Sequence, residues 1–407
     1  MQDKTKIFNK ALQLQLSGKA KEAQKYYLKL IKMRVNNEKL LFLLGTSYLQ
    51  TKEYDKAINS LDGFIKINPN FQDAFNNRGI ALTKKGRYLK SIQDYDKAIS
   101  LKNNFFDAYL NKGISLRYID QKKEAIKCYQ ICINLNPKNS KVYNNLGNIY
   151  KDLKQYEKAF DCYNKAIKLY KNYAEAYYSR GDLFHHHNHI ELAINDFEKA
   201  IKLKDDFEFI YGDLIHAKLH ICDWSNYDFY RKKIESEITK NKNVIRPFGI
   251  LSLTDDQRKH KIVSENYSKY LFQNLPDKPK INQGNNKKIK IGYFSGDFRN
   301  HAVLSLILDV FKNHDKLKFQ IYAFYHGDKE DEHTIKAKKY FYKFYNVCNY
   351  TEEEIANLSR KEKIDIAIDL CGHTKYAINK TYYYRAAPIQ INYLGYPGTM
   401  GNKFYDY

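Results

Sequence analysis

AFNNRGIALTKKGRYLKSIQDYDKAISLKNNFFD (74–107) runs directly into AYLNKGISLRYIDQKKEAIKCYQICINLNPKNSK (108–141), and the two stretches align position for position without a gap. Their glycines belong to a series, Gly45, Gly79, Gly113, Gly147 and Gly181, spaced by 34 residues. A small residue follows each glycine at a fixed interval (Ala57, Ser91, Ala125, Ala159, Ala193), then a large one (Leu61, Tyr95, Tyr129, Tyr163, Phe197). One period further back, Ala11, Ala23, Tyr27 and Leu30 keep a degenerate version of the pattern. A fixed period of 34 is the tetratricopeptide one, a pair of helices per repeat. About six repeats are therefore expected over residues 4–205, forming an α-solenoid.

The spacing has a packing reason. Small residues let two helix backbones approach, and the aromatic is expected to fill the gap between neighbouring repeats. Pro69 and Pro137 stop the second helix of their repeats, since proline lacks the N–H a helix needs. Such a stack curls into a superhelix with a long concave surface. Two residues before the glycine, Asn77, Asn111 and Asn145 are expected on that surface, with Asn9 in the first repeat and Leu43 and Ser179 interrupting the series. An amide offers both a donor and an acceptor, so these residues are candidates for holding an extended polypeptide by its backbone. The alternative is that asparagine is merely common at this position. His185, His186, His187 and His189 fall at a turn between helices, where an exposed polar turn is the better reading than a metal site.

The period fails after Phe207. Residues 206–287 read as a helical cap and linker, containing His220-Ile221-Cys222-Asp223-Trp224, then Pro247-Phe248, then a polar stretch at 282–288. An end repeat needs its apolar face covered, which gives such a segment its purpose.

From residue 288 the class changes. Runs at 289–294, 319–325, 344–348, 364–370 and 389–394 read as strands, alternating with helical patterns at 301–311, 334–342 and 351–360. Thr351 and Glu354 form a capping box at the start of the last. This order predicts a parallel, Rossmann-like α/β lobe over 288–407, whose ligands bind beyond the carboxyl ends of the strands. Glycine-bearing polar segments stand at those ends: SGDFRNH (295–301), DLCGHTK (369–375) and GYPGT (395–399). Each alone is explained as well by a turn or a helix cap.

Composition bounds the rest. With 407 residues, 43% hydrophobic and 28% charged, the chain is neither disordered nor membrane-embedded, and its longest apolar runs, such as 303–308, are far too short to span a bilayer. The opening MQDKTKIFNK has no apolar signal core, so cytoplasmic residence is expected. The six scattered cysteines read as reduced thiols. A net charge of +23 raises the question of nucleic acid, but lysines are spread evenly among many Asn, Ile and Tyr, so neither nucleic acid nor membrane is the expected partner.

Taken together, SGDFRNHAV, DLCGHT and APIQINYLGYPGT with a terminal YDY, downstream of tetratricopeptide repeats and a CDW segment, closely resemble the O-linked N-acetylglucosaminyltransferase family, especially its bacterial members. The resemblance implies two Rossmann-like lobes of the GT-B type, a UDP-sugar donor bound mainly in the second, and an acceptor protein entering along the repeats. Protein O-fucosyltransferases share the architecture, so the donor, with N-acetylglucosamine expected, does not follow from it. By resemblance His301 is the active-site histidine considered a catalytic base. His373 and Thr374 stand near the donor's sugar and phosphates, with Lys375 a less secure neighbour, and Tyr396, Pro397 and Gly398 line the cleft. An inverting transfer needs a group near neutral pKa to take the acceptor hydroxyl's proton, which suits His301. Asp297 is expected to cap the helix that follows rather than to orient His301. No cofactor and no metal are expected, the lobe having no D-x-D element.

One departure stands out: the family continues past the position of Tyr407 into the second lobe, so the lobe read here is expected to be truncated and poorly active alone. A non-catalytic protein-binding scaffold using Asn77, Asn111 and Asn145 is the alternative.

Overall fold

The computed structural model describes residues 2–35, 39–272, 281, 286–374 and 376–407, and the chain divides into two compact units, Met1–Asp205 and Asp206–Tyr407. Among the described residues the first unit is a run of helix pairs: Gln2–Leu16 with Ala20–Lys32, Leu40–Gln50 with Tyr54–Ile67, Gln72–Lys84 with Tyr88–Leu101, Phe106–Tyr118 with Lys122–Leu135, Ser140–Asp152 with Tyr156–Leu169, and Ala174–His186 with Ile190–Leu203.

The repeat signature now has a mechanism. Tyr95, Tyr129 and Tyr163 are fully buried, and a Cβ added to Gly79, Gly113 or Gly147 would sit 2.5–2.6 Å from the ring of the same repeat's tyrosine. The ring therefore closes the two helices of its own repeat, rather than only the gap to the neighbour as expected. The seam between two repeats is partly polar instead: Thr83 Oγ1 lies 3.0 Å from Tyr95 Oη and 2.8 Å from Ser115 Oγ, which also accepts from Ser91 Oγ at 2.9 Å. Replacing Gly113 with valine forces a branched side chain into the Tyr129 ring, and overpacking of this kind costs about 3 kcal/mol. Urea unfolding of the G113V chain followed by helical circular dichroism is expected to show a lower midpoint; an unchanged midpoint would contradict the glycine–ring contact.

Among the described residues the second unit is built on a five-stranded sheet: β1 Ile289–Ser295, β2 Phe319–Tyr325, β3 Lys343–Asn346, β4 Ile366–Asp369 and β5 Ile389–Asn392. All pairings are parallel, in the order β3-β2-β1-β4-β5. This is a doubly wound order, and it reverses between β1 and β4. Strand alternation sorts the core onto two faces. Ile291, Tyr293, Ile321, Ala323 and Tyr325 pack with Leu304, Ile307 and Phe311 of helix Ala302–Asn313. Phe294, Tyr322 and Phe324 pack with Ile355 and Ala356 of helix Glu352–Lys361 on the other.

Helix starts follow local chemistry. The Thr351–Glu354 capping box forms as expected. The helix after β2 begins at Glu332, earlier than expected, because Asp331 caps it and Thr334 returns the bond from inside the first turn. Helices Ile210–His220, Tyr227–Ile238 and Gln257–Phe272 lie in the same compact unit as the sheet. Ser268 Oγ donates to the Met400 carbonyl at 3.0 Å, and Phe272 meets the rings of Tyr383 and Phe404. The segment read as a cap is thus continuous with the lobe. Part of the expected linker, residues 282–285, lies outside the described residues. Among the described residues no helix is long and apolar enough to cross a membrane.

Candidate active site

The reversal of strand order leaves the loops after β1 and β4 side by side, and they border a cavity of about 630 Å³. His301, His373 and Thr374, from those two loops, all line it. Phe298 holds the first loop by burying its ring completely in the core, which leaves its neighbours Asp297 and Arg299 on the cavity wall. Asp297 N–H donates to Ser295 Oγ at 3.0 Å, and Asn300 N–H donates to Asp331 Oδ2 at 2.7 Å, tying the loop to the helix after β2.

His301 is the N-cap of helix Ala302–Asn313: its Nδ1 accepts the Val303 N–H at 3.2 Å. The imidazole itself caps the helix, where Asp297 was expected to. In the neutral ring this bond leaves the proton on Nε2. Asp297 is nearly buried, its Oδ2 is 3.9 Å from His301 Nδ1, and among the described residues its Oδ1 has no hydrogen-bond partner, with Arg299 Nη2 at 3.6 Å. The His301 side chain is 43% exposed, so it is accessible from solvent.

His373 differs in kind. Only 7% exposed, it lies between the rings of Tyr267 and Tyr396, at centroid distances of 5.4 and 5.3 Å. Its Nε2 is 3.1 Å from the Met400 carbonyl and its Nδ1 accepts from Asn379 Nδ2 at 3.3 Å. A carbonyl partner requires the proton on Nε2. Burial pushes its pKa down to about 4, so it is neutral near pH 7. With both nitrogens engaged, His373 is a fixed wall of the cavity rather than a proton carrier.

The third segment behaves otherwise than expected. Gly395 lines this cavity, pressed so hard on the β4 end that a Cβ there would lie 1.6 Å from the Leu370 carbonyl oxygen. Tyr396 is buried behind His373 and does not line the cavity, Pro397 is exposed, and Gly398 borders a different cavity of about 750 Å³ with Lys261, Tyr383 and Phe404. Lys375 lies outside the described residues.

Sequence reading missed one whole wall. His216, Arg246, Pro247, Phe248 and Tyr267 come from the helical segment before the sheet. Arg246 sits over the Phe209 ring at 4.9 Å and is paired with Asp213. Opposite, Arg299 lies over the Tyr376 ring at 5.2 Å and donates to its hydroxyl at 3.2 Å. The Pro247-Phe248 turn was the available signal. In the first unit, Asn77, Asn111 and Asn145 are half-buried. Asn111 Nδ2 donates to Asn76 Oδ1 at 3.1 Å, and Asn76 Nδ2 to Asn77 Oδ1 at 3.4 Å, so part of this amide series is engaged with itself. Among the described residues no group of three or more His, Cys, Asp or Glu is placed to hold a metal ion.

Comparison with known proteins gives two kinds of match. Residues 221–407 match glycosyl transferase family 41, and tetratricopeptide repeats match over 9–70, 42–104, 106–139, 140–173 and 174–207. The chain is 27% identical over 211 residues to a probable UDP-N-acetylglucosamine–peptide N-acetylglucosaminyltransferase, SEC, of Arabidopsis thaliana, covering 48% of this chain and 22% of that protein. It is 35% identical over 127 residues to the SPINDLY protein of the same plant, which carries the same description, covering 30% of this chain and 14% of that protein. The chain thus spans about a fifth or less of the length of these relatives. The crystal structure of a tetratricopeptide repeat protein from Parabacteroides merdae shares the fold at a TM-score of 0.50 and 16% identity, over 66% of this chain and all of that one.

Proposed function

Starting from a chain whose residues 221–407 belong to glycosyl transferase family 41 and whose earlier residues are tetratricopeptide repeats, we propose that it is part of a protein O-glycosyltransferase. The donor is a UDP-sugar, with N-acetylglucosamine the sugar named in the relatives' descriptions, and the acceptor is a Ser or Thr hydroxyl of a protein held by the repeats. The observation that carries this reading is the single cavity at the strand-order reversal, which gathers His301, His373 and Thr374 from two separate loops. Its volume is that of a small-ligand site.

His301 is the proposed base, removing the hydroxyl proton as the oxygen attacks the anomeric carbon with inversion, while the bond from that carbon to the β-phosphate oxygen breaks and UDP leaves with its electron pair. For Nε2 to accept that proton, the ring's own proton must move to Nδ1, giving up the Val303 cap. Asp297 Oδ2, 3.9 Å away, is the group that would then take the Nδ1–H bond and stabilise the imidazolium. His373 and Thr374 supply the donor-facing wall. Asn77, Asn111 and Asn145 remain proposed backbone contacts for the acceptor. The chemistry proposed needs no cofactor or metal beyond the donor nucleotide. All six cysteines are unpaired, which suits a reducing compartment and cytoplasmic acceptors.

The test is label transfer by the full gene product that contains this chain, offered UDP-N-acetylglucosamine, other UDP-sugars or GDP-fucose with a mixture of cytoplasmic proteins. Label released by alkaline elimination from Ser or Thr is the expected result. Retained peptide binding with no transfer from any donor would leave a protein-binding scaffold instead.

A further inference from the structure

The loop that carries His373 and Thr374 is held from beneath by one carboxylate. Asp369, the last residue of β4, is 1% exposed and does not line the cavity. Its Oδ1 accepts two backbone N–H groups, Cys371 at 2.8 Å and Gly372 at 3.1 Å. Its Oδ2 accepts the Tyr405 hydroxyl at 2.6 Å. Gly372 takes a positive φ of 56°, the left-handed bend that turns the chain toward His373. Tyr405 lies in a stretch fastened along β5. The Asp406 N–H donates to the Gln390 carbonyl at 2.7 Å, and the Asn392 N–H donates to the Tyr407 carbonyl at 3.0 Å.

A buried carboxylate is expensive unless its oxygens are satisfied by donors. Here the donors fix one short loop against one distant segment. A hydrophobic residue of similar size would fill the space without ordering the loop's backbone. We propose that Asp369, with Tyr405 as its second anchor, is the positioning residue of the site: it bridges the backbone of the 370–374 loop to the 404–407 stretch and thereby fixes where His373 and Thr374 meet the sugar donor. This rests on the glycosyltransferase reading for its consequence, but the anchoring itself does not.

The test uses Y405F, D369N and D369A in the full gene product. Tyr405→Phe deletes one donor and leaves the packing ring in place, while Asp369→Asn keeps an acceptor for the two loop N–H groups. The expected result is a rise of about tenfold in KM for the sugar donor in Y405F, matching the loss of one charge-assisted hydrogen bond, with KM for the acceptor peptide little changed and the melting temperature lowered because Asp369 Oδ2 loses its donor. D369N is expected to recover most of the donor affinity that D369A loses. Wild-type donor KM in both Y405F and D369A, or equal changes in donor and acceptor KM that track the melting temperature, would overturn the proposal. If the wild-type product transfers no sugar, the functional reading fails separately. Anchoring is then read from the imidazole ¹H–¹⁵N resonances of Y405F: those of His373 are expected to move while those of His301 stay, and unmoved His373 resonances overturn it.

Discussion

Acidification from pH 7 to 4.5 is expected to destabilise the Asp206–Tyr407 unit through two imidazoles, the buried His373 and the partly buried His326, by about 2 to 3 kcal/mol each. His326 and His373 both have their pKa pushed down to about 4, first by burial. His326 follows β2, and its Nε2 lies 2.9 Å from the Tyr376 carbonyl, linking that loop to the cavity wall. In the unfolded chain each ring would titrate near 6.5. The unfolded state therefore binds the proton first as pH falls, so stability is complete above about 6.5 and drains away between there and about 4. His314, partly buried and also lowered by desolvation, acts with the same sign. Two carboxyls oppose it: the buried Asp369 and the partly buried Glu352 are raised by desolvation, so protonation favours the folded state there.

A single substitution isolates the effect. In H326Q a glutamine amide can still donate to Tyr376, but it has no proton to take up. Hydrogen exchange of the β1 amides, which open only with the unit as a whole, gives the unfolding free energy at each pH. Between pH 7 and 4.5 the wild type is expected to lose about 2 to 3 kcal/mol more than H326Q. Parallel curves would mean that His326 is not held neutral by burial.

How far the sequence reached is clearest where one residue did one job. Gly79, Gly113 and Gly147 announce the repeat because only hydrogen fits beneath the tyrosine ring. A second signal of the same period went unread. Gly18, Lys52, Gly86, Asp120, Lys154 and Asn188 all take positive φ, 58–80°, at the turn inside each helix pair. Four of the six are not glycine, so composition hides a backbone requirement that packing enforces. In the second unit the strands were legible from β-branched and aromatic runs, and the reversal between β1 and β4 placed the SGDFRNH and DLCGHT loops together as expected.

What was hidden depended on distance in sequence. The wall formed by His216, Arg246, Phe248 and Tyr267 belongs to a segment whose one signal is the Pro247-Phe248 turn and which meets the sheet only in the folded unit. Tyr396 was expected at the cleft by family resemblance, but next to Gly395, which packs against Leu370, its ring lies inward behind His373. The cap of helix Ala302–Asn313 was misassigned because aspartate is the commoner N-cap, whereas His301, directly before the first helical residue, fills that place with its own nitrogen.

The assignment of base to His301 makes the largest kinetic prediction. Of the two cavity imidazoles from the β1 and β4 loops His301 alone is exposed, and among the described residues its ring makes one hydrogen bond, a helix cap at 3.2 Å. A positioned general base contributes about 10² to 10⁴ in rate, whereas losing this cap costs about 1 kcal/mol of stability. The two roles therefore separate cleanly in H301A and H301N. Asparagine is a good N-cap and restores the helix start, but it cannot take a proton at neutral pH. Single-turnover sugar transfer by the full gene product, with donor and acceptor saturating, is the most direct measurement. H301A and H301N are both expected to be slowed by about 10² to 10⁴, although H301N melts at the wild-type temperature. Wild-type transfer by H301N would show that His301 only caps its helix, and would remove the base from this site.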